Sequence, residues 1–216
     1  MTTLLHIDSS LFPESASASR SVAAVFRAAW EEQHPEGTVI HRDLAVAPVP
    51  HITADAHTAG FLAPSDHTPE QAAAFADRAV LIEELERADA IVIGAPMYNY
   101  TIPSTLKAWL DNVVLFGRTA GDTPSAKGTP VVVVASRGGS YEPGTPKEGF
   151  EYVRNYLKAV LADTLGLELH FVVPELTMAP HNPAMAELVP LYESSRERSL
   201  KEAVTIAKQL AGQAGA

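Results

Sequence analysis

The stretch that decides the fold is residues 90–100, which read AIVIGAPMYNY. The first six residues are apolar and partly β-branched, a pattern typical of a central strand in a parallel sheet. Pro96 ends the strand because proline has no N–H to donate to a neighbouring strand. The loop that follows carries a methionine, two tyrosines and an asparagine, instead of the Gly, Asp or Ser of a plain turn. Since ligands of open α/β sheets bind beyond the carboxyl ends of strands, we expect this loop to hold a flat, partly apolar ligand.

The composition of the 216-residue chain argues against several classes of function. A net charge of −10 argues against a nucleic-acid or anionic-membrane partner. The chain has no cysteine, which excludes disulfides, thiolate metal sites and redox-active cysteines. Its first six residues lack the basic region and apolar core of a signal peptide, and no apolar run approaches a membrane span in length. We therefore expect a cytoplasmic protein.

Hydrophobic periodicity predicts five strand–helix units in one domain, residues 1–216. The fold class is α/β: a five-stranded, doubly wound parallel sheet of order 2-1-3-4-5 or 3-2-1-4-5, with helices on both faces. Residues 45–69 contain four prolines and are predicted to be irregular. The predicted strands are residues 4–7, 38–44, 90–95, 131–135 and 167–173; the predicted helices run from Ser17 or Ser19 to residues 35–37, over 69–88, from Pro103, over 148–165 and over 187–211.

Three of the predicted strand exits have unusual compositions, namely residues 9–19, 96–100 and 136–140. In the order 2-1-3-4-5 these exits follow three adjacent strands. Because the carboxyl ends of parallel strands meet at one edge of a sheet, the three loops are expected to meet there as well. Their convergence points to one ligand site more strongly than any loop does alone.

The first of these loops offers hydroxyl groups at the start of a helix. Ser10, Ser17 and Ser19 supply hydroxyls, and Ala18 supplies its N–H. A helix N-terminus has unpaired N–H groups and a partial positive charge, both of which suit a phosphate. The alternative is that the serines only cap the helix and satisfy a turn. Arg20 is a candidate charge partner for the phosphate, although we expect a solvent-facing side chain there.

The second and third loops suit a ring system. Met97 and Tyr98 offer apolar surface, and Asn99 offers a donor and an acceptor. Gly138 and Gly139 allow a backbone to approach a ligand closely and to direct N–H groups at it. The alternatives are a hydrophobic plug between helices for the second loop and an ordinary turn for the third.

The motifs that the chain lacks narrow the ligand further. Neither G-x-G-x-x-G after the first strand nor G-x-x-x-x-G-K-[ST] occurs, so a dinucleotide or P-loop site is not indicated. His51, His57 and His67 fall in residues 45–69, but their spacings match no metal-ligand pattern. A mononucleotide with a monophosphate and a flat redox ring fits all three loops, and FMN is such a ligand.

Short segments of the chain closely resemble one known family, the FMN-dependent NADH-azoreductases, also called FMN-dependent NADH:quinone oxidoreductases. The segments are residues 9–10 (SS), 17–19 (SAS), 95–100 (APMYNY) and 136–139 (SRGG), and the resemblance extends over essentially the whole chain, including residues 42–44 (RDL). It implies a flavodoxin-like three-layer sandwich of order 2-1-3-4-5, bound FMN, NADH as electron donor, and a homodimer with its active sites at the subunit interface.

The resemblance also implies which positions bind the cofactor. One group would hold the phosphate, a second would line the isoalloxazine ring and ribityl chain, and a third would face the pyrimidine edge of the ring. In that order the groups are Ser10, Ser17, Ala18 and Ser19; Pro96, Met97, Tyr98, Asn99 and Tyr100; and Ser136, Arg137, Gly138 and Gly139. Backbone N–H groups in the third group would stabilise the negative charge of the reduced ring.

The expected reaction has two steps: NADH reduces the flavin, and a quinone or azo compound then takes two electrons from it. Because the flavin carries the chemistry and water can supply protons, no catalytic side chain is assigned. Two alternatives remain open here. One is a flavodoxin-type electron carrier without nicotinamide turnover, and the other is an α/β binding protein without flavin.

Overall fold

Five parallel strands form the central sheet in the computed structural model, which describes residues 2–213. Across the sheet the strands follow the order β2-β1-β3-β4-β5, which confirms the first of the two predicted orders. The strands are β1 (Thr3–Asp8), β2 (Thr38–Asp43), β3 (Ala90–Gly94), β4 (Pro130–Val134) and β5 (Glu168–Val172).

Helices cover both faces of this sheet, and alternating strand residues feed two separate cores. Leu5 and Ile7 of β1 enter the core beneath the third, fourth and fifth helices, whereas Leu4 enters the core beneath the first and last helices. This alternation follows from the two-residue period of a strand. The helices are α1 (Ala18–Gln33), α2 (Ala54–Ala59), α3 (Pro69–Arg87), α4 (Ser104–Val113), α5 (Val153–Leu157) and α6 (Val189–Gln213).

The strand register brings the ends of four strands to one edge of the sheet. Asp8, the last residue of β1, is level with Asp43 of β2 and with Gly94 of β3. Gly94 is in turn level with Val134 of β4. The loops after β1, β3 and β4 therefore leave the sheet side by side, as the sequence predicts.

The connection between β2 and α3 is more regular than predicted, and the expectation of irregular structure over residues 45–69 is wrong in part. Residues Ala54–Ala59 form α2, and a 3-10 turn follows at Pro64–Asp66. All four prolines flank α2 and none interrupts it. The Thr53 side chain caps α2 by accepting the N–H of Ala56 at 3.2 Å.

The helix predicted over residues 148–165 is replaced by three shorter segments. A 3-10 turn at Glu148–Phe150 precedes α5, and a π-helix at Lys158–Thr164 follows it. The Thr164 hydroxyl donates to the carbonyl oxygen of Ala159 at 2.8 Å, five residues earlier, which fits the wider π turn. Hydrophobic spacing alone does not distinguish these helix types.

Within residues 2–213, the helices are all too short or too polar to cross a lipid bilayer.

Candidate functional site

Hydrogen bonds join the three predicted loops at the carboxyl edge of the sheet. Ser9 donates to the Gly94 carbonyl oxygen through its N–H at 3.2 Å and through its hydroxyl at 2.6 Å. Met97 donates its N–H to the carbonyl oxygen of Ser136 at 2.8 Å. The first loop is thus bonded to the end of β3, and the second loop to the third. The convergence inferred from the strand order is present as direct contacts.

The first loop ends in a capped helix N-terminus. Ser17 is the N-cap of α1, and its hydroxyl oxygen accepts the Arg20 N–H at 3.4 Å. The Ser17 and Ser19 hydroxyl oxygens lie 3.2 Å apart, with both residues buried and Ala18 half-buried. The first N–H groups of a helix have no acceptor within the helix, so this end of α1 presents N–H donors beside a hydroxyl pair. That donor set suits a phosphate.

Arg20 is buried, and the expectation that its side chain faces solvent is wrong. Its guanidinium contacts both carboxylate oxygens of Asp43 at 2.7 Å and donates to the Ser10 carbonyl oxygen at 2.7 Å. It also lies 3.4 Å from Asp8. The hydrogen bonds with Arg20 lower the pKa of Asp43 against the opposing effect of burial. Two acidic residues at the ends of β1 and β2 thus draw the arginine inward.

The second loop is a tight turn with a strained backbone. Tyr98 and Thr101 exchange backbone hydrogen bonds of 2.8 and 3.1 Å, and the residues between them, Asn99 and Tyr100, have φ angles of 50° and 71°. Positive φ is uncommon outside glycine and is retained where the surroundings impose it. Both residues are exposed. The turn holds an amide and an aromatic ring out from the sheet edge.

The remaining members of the second loop connect it to its surroundings. The Tyr98 hydroxyl lies 3.3 Å from the Ser10 hydroxyl and accepts the Leu11 N–H at 3.1 Å. Pro96 is buried, whereas Met97 is half-buried and packs on the core beneath α3 and α4. Met97 therefore contributes to a hydrophobic plug between helices, which is the alternative interpretation of this loop. Tyr98 ties the second loop to the loop that carries the serines.

The third loop contains a buried arginine, Arg137, whose guanidinium and backbone N–H both bond to other residues of the protein. The Arg137 guanidinium is paired with Glu142 and Glu151 and lies 3.2 Å from Glu175. Its backbone N–H donates to the Pro174 carbonyl oxygen at 2.9 Å. Arg137 therefore fixes the shape of the loop. Ser136 is buried beside it, and the two glycines that follow are half-buried.

Gly138 lies in close contact with a side chain of another loop. A Cβ at this position would lie 2.7 Å from Cγ of Met178. The Met178 N–H donates to the Gly138 carbonyl oxygen at 3.3 Å, and the Leu176 N–H donates to that of Gly139 at 3.2 Å. The third loop is thus backed by the segment after β5. A Cβ at Gly139, by contrast, would meet only Tyr141, at an ordinary 3.6 Å.

Sequence reasoning missed two features of this site. The first is the segment after β5, where Met178 is half exposed against Gly138. The second is the pairing of Arg20 with Asp8 and Asp43 behind the loop that carries the serines. Asp8 and Asp43 end two adjacent strands, and Arg20 lies between them in the sequence, in the first turn of the intervening helix; that arrangement is the signal that could have revealed the second feature.

Exposed apolar side chains surround the joined loops. Leu11 and Phe12 of the first loop are 65% and 56% exposed. The Tyr100 ring lies 5.1 Å from that of Phe150, and both residues are exposed. Exposed apolar groups clustered at one place on a surface mark a ligand or partner site.

The sheet order and the joined loops define a flavodoxin-like protein. A family model described as "Flavodoxin-like fold" matches residues 2–188, so the chain belongs to that family.

Known proteins identify the family more closely. The chain is 74% identical over 210 residues to the FMN-dependent NADH:quinone oxidoreductase of Streptomyces coelicolor, an alignment that covers 97% of this chain and 96% of that protein. It is 71% identical over 212 residues to the protein of the same name from Streptomyces avermitilis, covering 98% of each. The crystal structure of an azoreductase from Bacillus anthracis superposes with a TM-score of 0.81 at 27% identity, covering 97% of this chain and 100% of that one. The chain is a member of the FMN-dependent NADH:quinone oxidoreductase family, which confirms the resemblance noted in the sequence.

Proposed function

We propose that the chain is an FMN-dependent oxidoreductase that transfers two electrons from NADH to quinones and azo compounds. The observation that carries this proposal is the 74% identity, over nearly the whole chain, to a protein named for this activity. The joined loops after β1, β3 and β4 support it, because they form one site at the edge where α/β sheets bind mononucleotides. No observation favours the electron-carrier alternative.

The N-terminus of α1 fits the FMN phosphate. In this proposal the Ser17 hydroxyl and the N–H groups of Ala18 and Ser19 bind the phosphate oxygens. Ser10 completes the cradle, since the Arg20 guanidinium holds its carbonyl oxygen at 2.7 Å. N–H donors and hydroxyls bind a dianion without a cationic side chain in direct contact.

The other two loops fit the ring and the ribityl chain. Residues 96–100 provide apolar surface and the Asn99 amide, and Tyr98 holds its loop against the serine loop. Ser136, Gly138 and Gly139 provide backbone along the pyrimidine edge of the ring. Arg137 belongs to the site as a positioning residue, because carboxylates occupy its guanidinium.

When bound, FMN supplies the redox chemistry by accepting a hydride and passing two electrons on. The residues of the chain bind the phosphate, orient the ring and cover one side of it. Backbone N–H groups of the third loop stabilise negative charge on the ring. The proposal assigns no side chain as acid or base, and water supplies the protons.

We further propose that residues 1–216 form one FMN-binding domain, that two copies assemble into a homodimer, and that the protein is cytoplasmic. The exposed Leu11, Phe12, Tyr100 and Phe150 beside the site support the dimer, since a second copy would cover them. Sedimentation velocity with and without FMN tests this assembly, and a species of about 23.1 kDa at all concentrations would contradict it.

Steady-state kinetics test the proposed activity. FMN-loaded protein should oxidise NADH when a benzoquinone or an azo dye is present, and initial-rate plots at several acceptor concentrations should give parallel lines, because donor and acceptor use the same place in turn. FMN binding without NADH oxidation would support a flavodoxin-type carrier instead. The absence of FMN binding would overturn the proposal.

A further inference from the structure

Two histidines and an aspartate meet behind the serine loop, on the face of the sheet that α1 covers. His6 and Asp8 are two residues apart on β1 and so point to the same face. The register places His41 of the edge strand β2 level with His6. Nε2 of His6 lies 3.4 Å from Oδ2 of Asp8, and Nε2 of His41 lies 3.0 Å from the same oxygen.

From this arrangement we propose that His6, Asp8 and His41 bind a divalent transition-metal ion of the Zn²⁺ type. One ligand atom from each of the three residues falls within 4.8 Å of the others. Zn²⁺ binds nitrogen and oxygen ligands at about 2.0–2.1 Å, so the ligand atoms of a tetrahedral site are about 3.3 Å apart. The distances of 3.4 and 3.0 Å to the Asp8 oxygen are close to that separation. Two imidazoles and a carboxylate also form a ligand set that suits this ion.

The hydrogen bonding of His6 supports a ligand role. His6 is 3% exposed, and neither of its ring nitrogens has a hydrogen-bond partner among residues 2–213. Oδ1 of Asp8 is likewise unpartnered within the described chain. Buried polar atoms are satisfied in nearly all proteins, and each exception requires an explanation. Coordination of an ion by Nε2 of His6 supplies one for that nitrogen, which otherwise has only the Asp8 oxygen, at 3.4 Å, beside it.

The local charge also favours a cation. Arg20 lies 3.4 Å from Oδ2 of Asp8, but its guanidinium forms its shorter contacts, at 2.7 Å, with Asp43. One guanidinium therefore faces two carboxylates, and one negative charge remains beneath a site proposed to bind a phosphate dianion. A divalent ion at Asp8 more than offsets that charge and leaves a net positive charge beneath the phosphate.

The ion has a route to the three ligands. A pocket of about 310 Å³ opens between α1 and the edge strand, and its lining includes all three residues together with Glu14 and the ion pair of Arg27 with Glu31. The His41 side chain is 39% exposed at its mouth. Three protein ligands facing an open pocket leave the fourth position to water, as in zinc sites that exchange their bound water.

Isothermal titration of the chelator-treated full chain with ZnCl₂ tests the proposal, and Co²⁺ serves as a spectroscopic substitute. We expect one equivalent of Zn²⁺ to bind, Co²⁺ to give the visible bands of a four-coordinate site, and Zn²⁺ to raise the melting temperature because the three ligands are brought together only in the folded chain. His41→Gln removes a half-exposed ligand outside the proposed flavin site. Loss of a residue that only hydrogen-bonds a metal ligand typically lowers metal affinity by about 10–100-fold. Since His41 is itself a proposed ligand, this variant should weaken Zn²⁺ binding by about 100-fold or more.

His170→Gln is the matched control. His170 lies on the opposite edge strand, β5, 3.2 Å from the carboxylate of Glu168, so it too is a partly exposed histidine beside an acid. This variant should bind Zn²⁺ as the wild type does. The proposal is overturned if the wild type binds no Zn²⁺, or if His41→Gln and His170→Gln bind it equally. Asp8→Asn, checked for folding by circular dichroism, should lose the Co²⁺ bands.

Discussion

The guanidinium of Arg20 contacts both carboxylate oxygens of Asp43 at 2.7 Å and, through one of the same nitrogens, the carbonyl oxygen of Ser10. This one side chain connects the first turn of α1, the end of β2 and the serine loop. A bidentate pair of this kind fixes orientation as well as distance. Arg20 therefore shapes the proposed phosphate site by positioning Ser10 and α1, without contacting the phosphate itself.

Replacing Arg20 should damage both the fold and FMN binding. In Arg20→Met, Asp43 loses its bidentate partner and Ser10 its donor, so we expect a loss of about 3 kcal/mol in the free energy of unfolding and a weaker FMN affinity. Urea unfolding and flavin fluorescence titration measure these changes. Arg27→Met in the same helix breaks an exposed pair with Glu31 and should cost less than about 1 kcal/mol. Equal losses in the two variants would contradict this role for Arg20.

The same pair predicts a pH dependence of stability. The bonds with Arg20 lower the pKa of Asp43 below its ordinary value of 3.8. An acid with a lowered pKa in the folded state stabilises the fold fully above its unfolded pKa, and that stabilisation is lost as the pH falls toward the folded value. The difference in unfolding free energy between the wild type and Asp43→Asn should therefore be large at pH 7 and shrink below pH 3.8. A difference that stays constant over this range would show that the ion pair is not its source.

Ser17 caps α1 and is also proposed to bind the phosphate; a substitution at the cap of another helix separates these two roles. Ser17→Ala should cost about 1 kcal/mol of stability through the lost cap and should also weaken FMN binding about tenfold through the lost phosphate contact. Thr68 caps α3 in the same way, by accepting the Gln71 N–H at 3.2 Å. Thr68→Ala should match the stability loss and leave the FMN affinity unchanged. If both variants kept wild-type FMN affinity, the phosphate would lie elsewhere.

Gly138 and Met178 form a pair that a double substitution tests. Gly138→Ala places a methyl group 2.7 Å from Cγ of Met178, so the third loop or the methionine has to move. We expect a stability loss of about 1–3 kcal/mol and weaker FMN binding. Adding Met178→Ala, a change at a half-exposed residue, should restore most of both. Failure of the second substitution to restore either property would mean that the glycine serves the ligand directly.

Strands and helix caps that depend on a local sequence pattern are predicted correctly. The β-branched runs at residues 90–95 and 131–135 predict buried strands, and the N-cap of α1 is Ser17, one of the two residues predicted for that position. Arg20 shows why other features are not predictable in the same way. Its exposure depends on Asp43, 23 residues away, and nothing in the first turn of α1 reveals that partner.

Helix type and the short helix α2 are likewise not predictable from local sequence patterns. The apolar stripe over residues 148–165 is the same for α-, 3-10 and π-helical segments, so the break near Val153 is invisible to periodicity. The short helix α2 is stabilised by Thr53 and by Ala56 and Ala59, both buried in the folded chain. The contact between Gly138 and Met178 joins two loops that only the sheet order brings together.

An anaerobic absorption spectrum of the protein with FMN, recorded before and after NADH and again after a quinone, tests the proposed electron transfer most directly. We expect a yellow protein that NADH bleaches within seconds and whose colour the quinone restores without any second protein. Bound flavin that stays oxidised when NADH is added would contradict the proposed activity. Flavin that remains free in solution would contradict the three-loop site itself.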